Sequence, residues 1–303
     1  MLIADYINGN TRIKLWSDGT REITTEDDEF NFEMPTNIDM QITTRCDNRC
    51  PWCYADCTEN GVHAELLNNP VLDGLNPGQE LAINLNDMTH HQLVRFLQAM
   101  KTKKVFVNGT INQVHFMKYS KIIESLCNQQ LLWGLGVSLQ KPTKEFVEEI
   151  KKFPNAVIHI IAGIVTGSDL EILRDNGLKL LILGYKNVGR GNQYLSNNDL
   201  QIEINQKYLK DHLPVVKNTF KVVSFDNLAL KQLDVRKTLH LSDEDWERFY
   251  QGDEGSQTMY VDLVANKFGI SSLIPPQQMH PIGNLSIKEM FEIIKHESKT
   301  YSL

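Results

Sequence analysis

The sequence predicts an α/β protein built on a parallel sheet that closes into a barrel or partial barrel. Three observations predict it. From about Asn37 onward, six strand-like segments alternate with helical patterns. Most of those segments look apolar on both faces, as strands buried inside a parallel sheet do. The strand–helix unit recurs about every 25 residues, the spacing of a barrel repeat.

The elements follow in order. Residues 1–36 read as a small N-terminal β appendage. IADYI and RIKLW flank an Asn8-Gly9 turn, and REITT follows a second turn at Asp18-Gly19. An acidic stretch over 25–33 then leads to Pro35. Residues 37–235 read as the core. Its strands are IDMQIT (38–43), ELAINL (80–85), KVFVNGT (104–110), LWGLGVSL (132–139), AVIHIIAGI (156–164) and LKLLILGY (178–185). Helical spacing appears between them: Leu93, Phe96 and Leu97 over 89–100, then Phe116, Tyr119, Ile122, Ile123 and Leu126 over 115–126. A capped helix starts at Thr143, and a short one over 168–176 stops at Gly177. Beyond Asn187 come a Gly-rich loop, NVGRGNQY, a helix within 200–218, and KVVSFDNLAL (221–230), read as a strand leaving the sheet.

Residues 236–303 read as an α+β C-terminal extension. Ser242 caps a helix carrying Trp246, Phe249 and Tyr250. TMYVDLV and NKFGISSL pair as a hairpin turning near Ala265-Asn266, and IKEMFEIIKHES forms an amphipathic helix.

Composition narrows the function. Of 303 residues, 41% are hydrophobic and 23% charged, which fits a packed globular protein. The net charge of −7 argues against nucleic acid as a partner, because phosphate is bound by basic patches. The apolar run over 157–165 is far short of the roughly 20 residues a spanning helix needs. No basic start followed by an apolar run opens the chain, so a cytoplasmic protein without membrane attachment is expected.

Four of the five cysteines, Cys46, Cys50, Cys53 and Cys57, fall in the segment ITTRCDNRCPWCYADC. Disulfide frameworks spread cysteines through a small secreted chain, whereas crowding into one loop suits a metal or cluster. The spacing is Cys-x₃-Cys-x₂-Cys, with Trp52 just before the third thiol. Three close thiolates can hold three irons of a cubane. Zinc is an alternative for the four thiols, although structural zinc sites pair two short hooks across a longer span. Cys57 reads as a bystander thiol, a fourth ligand being the alternative. Cys127, beside Leu126, reads as a core cysteine.

This loop resembles the Cys-x₃-Cys-x-aromatic-Cys signature of the radical S-adenosylmethionine (SAM) superfamily. Its place after the first strand of an α/β repeat also resembles that superfamily's partial (β/α)₆ TIM-like barrel. The resemblance implies a [4Fe–4S] cluster on Cys46, Cys50 and Cys53, with SAM on the remaining iron. Reductive cleavage of SAM would then give a 5′-deoxyadenosyl radical that takes hydrogen from an unknown substrate. It also implies an external electron donor of flavodoxin or ferredoxin type.

The resemblance proposes further SAM contacts. The family's Gly-Gly-Glu-like turn after the second strand is INLNDMTHH here; Asn84, Asn86 and Asp87 stand in for the glycines, and Asn86 and Asp87 offer acceptors to the SAM ammonium. The alternative is that these residues cap the helix before Thr89. Ser138 at the end of the fourth strand is placed near the SAM ribose and carboxylate. Gly163 after the fifth is placed near adenine, or else in a plain strand-end turn. Asn108, Thr110, Asn112 and Gln140 are polar strand ends of the same kind. Lys186 or Arg190, in a loop over the barrel mouth, would meet a carboxylate of SAM or substrate, or else be solvated; Asp226 and Asn227 are further substrate candidates.

The C-terminal order of hairpin, loop and helix resembles the SPASM or twitch extensions of peptide-modifying members. Ser271 and Ser272 stand where an auxiliary-cluster cysteine would be, so one cluster is expected, and the substrate class implied is a peptide or protein. Two rival readings stand beside this one: a catalytically degenerate cluster-binding protein of the same fold, and a zinc-stabilised α/β binding protein.

Overall fold

The computed structural model describes residues 1–250 and 252–299. The N-terminal strands β1 (Leu2–Asn8), β2 (Thr11–Trp16) and β3 (Arg21–Thr25) form an antiparallel sheet of their own. The core then runs β4 (Asn37–Gln41), α1 (Pro70–Asp73), β5 (Glu80–Asn84), α2 (Leu93–Lys103), β6 (Phe106–Asn112), α3 (Gln113–Asn128), β7 (Gly134–Ser138), α4 (Lys144–Ile150), β8 (Ala156–Ile161), α5 (Gly167–Leu173), β9 (Lys179–Leu183), α6 (Arg190–Thr219), β10 (Val222–Phe225) and α7 (Asn227–Gln232). After α8 (Val235–Thr238) and α9 (Asp243–Phe249) come β11 (Thr258–Asp262), β12 (Lys267–Gly269), β13 (His280–Pro281) and α10 (Ile287–Ser298).

The chain is α/β, with one large, mostly parallel sheet in the order β10-β9-β8-β7-β6-β5-β4-β11-β12-β13. Eight neighbouring strands, from β11 through β4 to β10, run parallel. Two of them depart from the sequence reading. The segment over 221–230 does not leave the sheet: Val222–Phe225 pairs with Lys179–Ile182 on β9. Its remainder turns into α7, because the Asp226 carboxylate accepts from Ala229 N at 2.7 Å and caps a helix there. The hairpin partner β11 lies parallel against β4, with β12 antiparallel on its far side.

The expectation that most strands are apolar on both faces holds for β9 and much of β8 and is corrected for the others. One face is apolar: Ile38, Met40, Leu81, Ile83, Val107, Ile111, Leu135, Val137, Ile158, Ile160, Leu180 and Ile182 are buried in the core with residues of the helices. α2 adds Phe96 and Leu97, and α3 and α4 meet through Phe116 and Phe146, whose rings lie edge to face at 6.0 Å. Each such side chain contributes about 1.5–3 kcal/mol by leaving water. The other face is mostly polar or small on β4 to β7, whereas β8 and β9 also turn Val157, Ile161, Leu181 and Leu183 to it. Asp39, Ala82, Asn108, Thr110, Gly136, Ser138 and His159 alternate with the apolar set and line a cavity of about 860 Å³.

The first sheet closes the floor of that cavity. Trp16, Asp18, Gly19 and Thr20, around the β2–β3 turn, line it. Asn155 Nδ2 donates to Ser17 O at 3.0 Å, and Arg21 pairs with Glu80 at 3.3 Å.

Candidate functional site

The loops that leave the carboxyl ends of β4, β5, β7 and β9 converge on the cysteines. Parallel pairing places all these strand ends at one edge of the sheet, so residues far apart in sequence meet there. Residues after β4 form a closed flap. Cys46 N donates to Thr58 O at 2.8 Å, Thr58 N to Thr44 O at 3.0 Å and Thr44 N to Val62 O at 3.0 Å. Gly61 sits so close to this return strand that a Cβ there would lie 2.2 Å from Thr44 O.

Cys46, Cys50 and Cys53 all line the cavity and are partly accessible. Asn48 Nδ2 donates to Cys50 Sγ at 3.0 Å and Gln140 Nε2 donates to the same sulfur at 3.2 Å. Burial pushes the Cys46 and Cys50 thiols up, and repulsion from neighbouring cysteines adds to it. Cys53 is drawn down to about 6, chiefly by a hydrogen bond from Cys57, whose own thiol is correspondingly held up. Asp47 and His115 pin the flap to α3 through a 2.5 Å contact between Oδ1 and Nε2, and Asn112 both caps α3 and approaches His115 Nδ1 at 2.9 Å.

The Gly-rich loop after β9 is a clasp on this flap. Arg190 N donates to Cys53 O at 3.1 Å and to Asp56 Oδ1 at 2.7 Å. Its guanidinium donates to Cys50 O at 3.1 Å and to Cys57 O at 3.0 Å. The Arg190 side chain is thus engaged by the cysteine loop and does not line the cavity. Gly189 has φ +56°, and a Cβ there would stand 2.4 Å from Tyr54 O. Tyr194 packs edge-on against Trp52 at 5.6 Å, and Tyr185 Oη donates to Gly191 O at 2.7 Å.

The other predicted site residues divide. Asn86, Ser138 and Lys186 line the cavity. Asn86 Nδ2 donates to Cys57 Sγ at 3.2 Å. The strand register sets Ser138 between Asn112 and His159. Lys186 Nζ donates to Ser272 Oγ at 2.8 Å and lies 4.1 Å over the Tyr54 ring. Asp87 and Gly163 are not brought to the cavity. Asp87 accepts from Thr89 N at 2.8 Å and pairs with Arg45 at 3.1 Å; burial raises its pKa, but these partners and His63 outweigh it. This is a local turn contact and not a helix cap, since α2 begins only at Leu93 with Gln92 before it and no side-chain cap there. Gly163, at φ +99°, faces α6, where a Cβ would meet Ile202 at 2.7 Å and where Asn205 holds its carbonyl at 3.0 Å. Asn84 ties β5 to β4: it accepts from Ile42 N at 2.8 Å and donates to Thr43 O at 2.7 Å.

Among the cavity residues not singled out by sequence are Asp39, His159 and Glu254. Burial raises the pKa of Asp39, with Lys186 opposing it, and brings Glu254 up to about 7, with Asp39 adding to the effect. His159 falls to about 4, first by burial and then through Lys186; its imidazole lies over Gly136, where a Cβ would be 2.3 Å from Cε1. The signal that was available is the period-2 run of polar residues at Asn37, Asp39 and Gln41, and again at Asn108, Thr110 and Asn112.

Among the described residues, no three His, Cys, Asp or Glu side chains converge as one metal ion requires. A cubane asks for something different, since each thiolate binds its own iron and the sulfurs stand further apart. The three thiols share one cavity wall; ionisation of Cys46 and Cys50 is opposed by burial and by repulsion from neighbouring cysteines, which bound cationic iron would offset. The donor set fits a cluster on that chemistry. No helix among the described residues is long and apolar enough to cross a membrane. No protein-family model matches the chain, and no curated protein matches it.

Proposed function

We propose that this chain is a radical SAM enzyme whose curved sheet forms a partial TIM-like barrel around a single [4Fe–4S] cluster. One observation carries the reading: Cys46, Cys50 and Cys53, spaced Cys-x₃-Cys-x₂-Cys, sit on the loop after the first core strand and face a large cavity. When bound, the cluster and SAM supply one-electron cleavage of the sulfonium and a carbon radical able to take hydrogen from substrate.

The chain's own residues have distinct parts. The three cysteines hold three irons. Asn48 and Gln140 orient Cys50 through its sulfur. Arg190 fixes the loop backbone from the opposite side. Asn86, Ser138 and Lys186 offer polar contacts for SAM within the cavity. The first sheet, with Trp16 and Trp133 lining the floor, keeps bulk water from the interior. The substrate is a peptide or protein and the electron donor a flavodoxin or ferredoxin; the setting is the cytoplasm.

A second reading has one observation in its favour. Asp87 lies outside the cavity, and Asn84 lines it with its amide already committed to Ile42 N and Thr43 O, so of the three residues only Asn86 has no backbone tie. A cluster protein without SAM cleavage would tolerate that. Anaerobic incubation of the reconstituted protein with SAM and dithionite separates the two. 5′-Deoxyadenosine and methionine are expected; a fully loaded cluster giving neither favours the second reading.

A further inference from the structure

Ser272 stands, by sequence, where an auxiliary-cluster cysteine would be, and the fold gives it another part. The connection between β12 and β13 borders the cavity, with Ser271, Ser272 and Leu273 in its lining. Its own hydrogen bonds close on themselves. Leu273 N donates to Ser271 Oγ at 3.2 Å, Ile274 N to Ser271 O at 3.4 Å and Gln278 N to Pro275 O at 2.8 Å. Lys267 Nζ, on β12 of the same hairpin, donates to Pro276 O at 2.5 Å. Among the described residues, Ser272 alone ties 271–279 by a hydrogen bond to another part of the fold: its Oγ accepts from Lys186 Nζ at 2.8 Å.

The ends of this connection are anchored and its middle is not. Ile270 is buried at one end, and at the other His280 Nε2 meets Glu297 Oε1 at 2.7 Å. Between them Pro275, Pro276, Gln277 and Gln278 are exposed. Lys186 Nζ also lies 4.1 Å over the ring of Tyr54, the residue after Cys53. One ammonium thus joins the loop after β9, the cysteine loop and the β12–β13 connection. Asp39, Asp226 and Glu254 line the same cavity, so the ammonium stays compensated by them when Ser272 lets go. Release then costs little more than one hydrogen bond. We infer that 271–279 is a lid on the cavity, latched shut by Lys186 on Ser272, and that SAM and substrate pass when the latch opens. The lid rests on the cavity alone; what it admits rests on the radical SAM reading.

The test uses the full chain, reconstituted anaerobically, as wild type, Ser272→Ala, Ser272→Thr and Lys186→Met. Amide hydrogen exchange is followed over 271–279 and over α10. Dissociation of radiolabelled SAM is timed in the wild type and the two Ser272 variants, because Ser272 has no part in holding SAM. Exchange over 271–279 should quicken several-fold in Ser272→Ala and Lys186→Met and stay at the wild-type rate in Ser272→Thr, which keeps the hydroxyl. Exchange in α10 should be the same in all four. SAM should leave Ser272→Ala several-fold faster than the wild type or Ser272→Thr. Should Lys186→Met fail to fold, the two Ser272 variants decide. Unchanged exchange in Ser272→Ala, or a quickening shared by α10, would overturn the lid. Quickened exchange with SAM release at the wild-type rate would overturn the gating. Wild-type protein that carries its cluster but binds no SAM would sink the radical SAM reading, while the exchange comparison still decides the lid.

Discussion

Arg190 holds Cys50 from 140 positions along the chain, its Nε donating to the cysteine carbonyl at 3.1 Å while Nη2 takes the carbonyl of Cys57 at 3.0 Å. A charged donor bridging two carbonyls fixes the loop that presents the thiols. Lysine has one point of charge and cannot span both acceptors. Arg190→Lys should cost about 1–3 kcal/mol in apo-protein stability, measured by urea unfolding. Iron per chain after reconstitution should fall as well.

Gly189 presses on the same loop with no room for a side chain. A Cβ would stand 2.4 Å from Tyr54 O and 2.9 Å from Cys53 O, both backbone atoms that cannot swing aside. Gly189→Ala should lower stability by about 1–3 kcal/mol and reduce iron loading. Gly177→Ala is the control: φ there is +68° but nothing lies within 4 Å of the added carbon. It should lower stability without changing iron content.

Glu254 links the cavity to pH. Burial and Asp39 bring its pKa up to about 7 from 4.5, so the folded chain binds this proton more tightly than the unfolded one. Folded protein then holds more protons between those values, and stability falls as pH rises from about 4.5 to about 7. Glu254→Gln removes the effect. Relative to wild type it should gain on the order of 1–3 kcal/mol at pH 8 compared with pH 4, the range allowing for partial exposure. Urea unfolding at the two pH values checks this; an equal difference at both would count against it.

Gly136 tests whether the cavity is the cofactor chamber. Its Cα faces the interior beside Thr110 and His159, and a Cβ would already touch the imidazole. Gly136→Val fills that space at a distance from the thiols. Iron content should be unchanged while SAM affinity, by calorimetry, drops at least about tenfold, or ~1.4 kcal/mol.

The sequence carried the strands, the capped helices and the cysteine loop because these depend on local periodicity and spacing. Ser242 and Thr143 cap helices where their residue type demands it. Pairing of β11 with β4 was not legible, since it joins segments more than 200 residues apart with no local signature. Polar residues such as Asp39 and His159 were hidden by apolar neighbours at the alternate positions, which made the strands look two-sided. Arg190 read as a carboxylate contact or a solvated charge because the acceptors of its guanidinium are backbone carbonyls, invisible in any side-chain pattern. Gly163 read as an adenine contact or a strand-end turn, and it takes the turn, at φ +99° after β8, because a glycine there also allows close helix packing.

The central claim is that Cys46, Cys50 and Cys53 jointly hold an iron–sulfur cubane. Iron, zinc and acid-labile sulfide counted in anaerobically reconstituted wild type and in the Cys46→Ala, Cys50→Ala, Cys53→Ala triple variant test it most directly. About four irons and four sulfides per wild-type chain, lost in the variant with Cys57 still present, is the expected result. Zinc without sulfide in the wild type, or iron that survives the triple substitution, would contradict it.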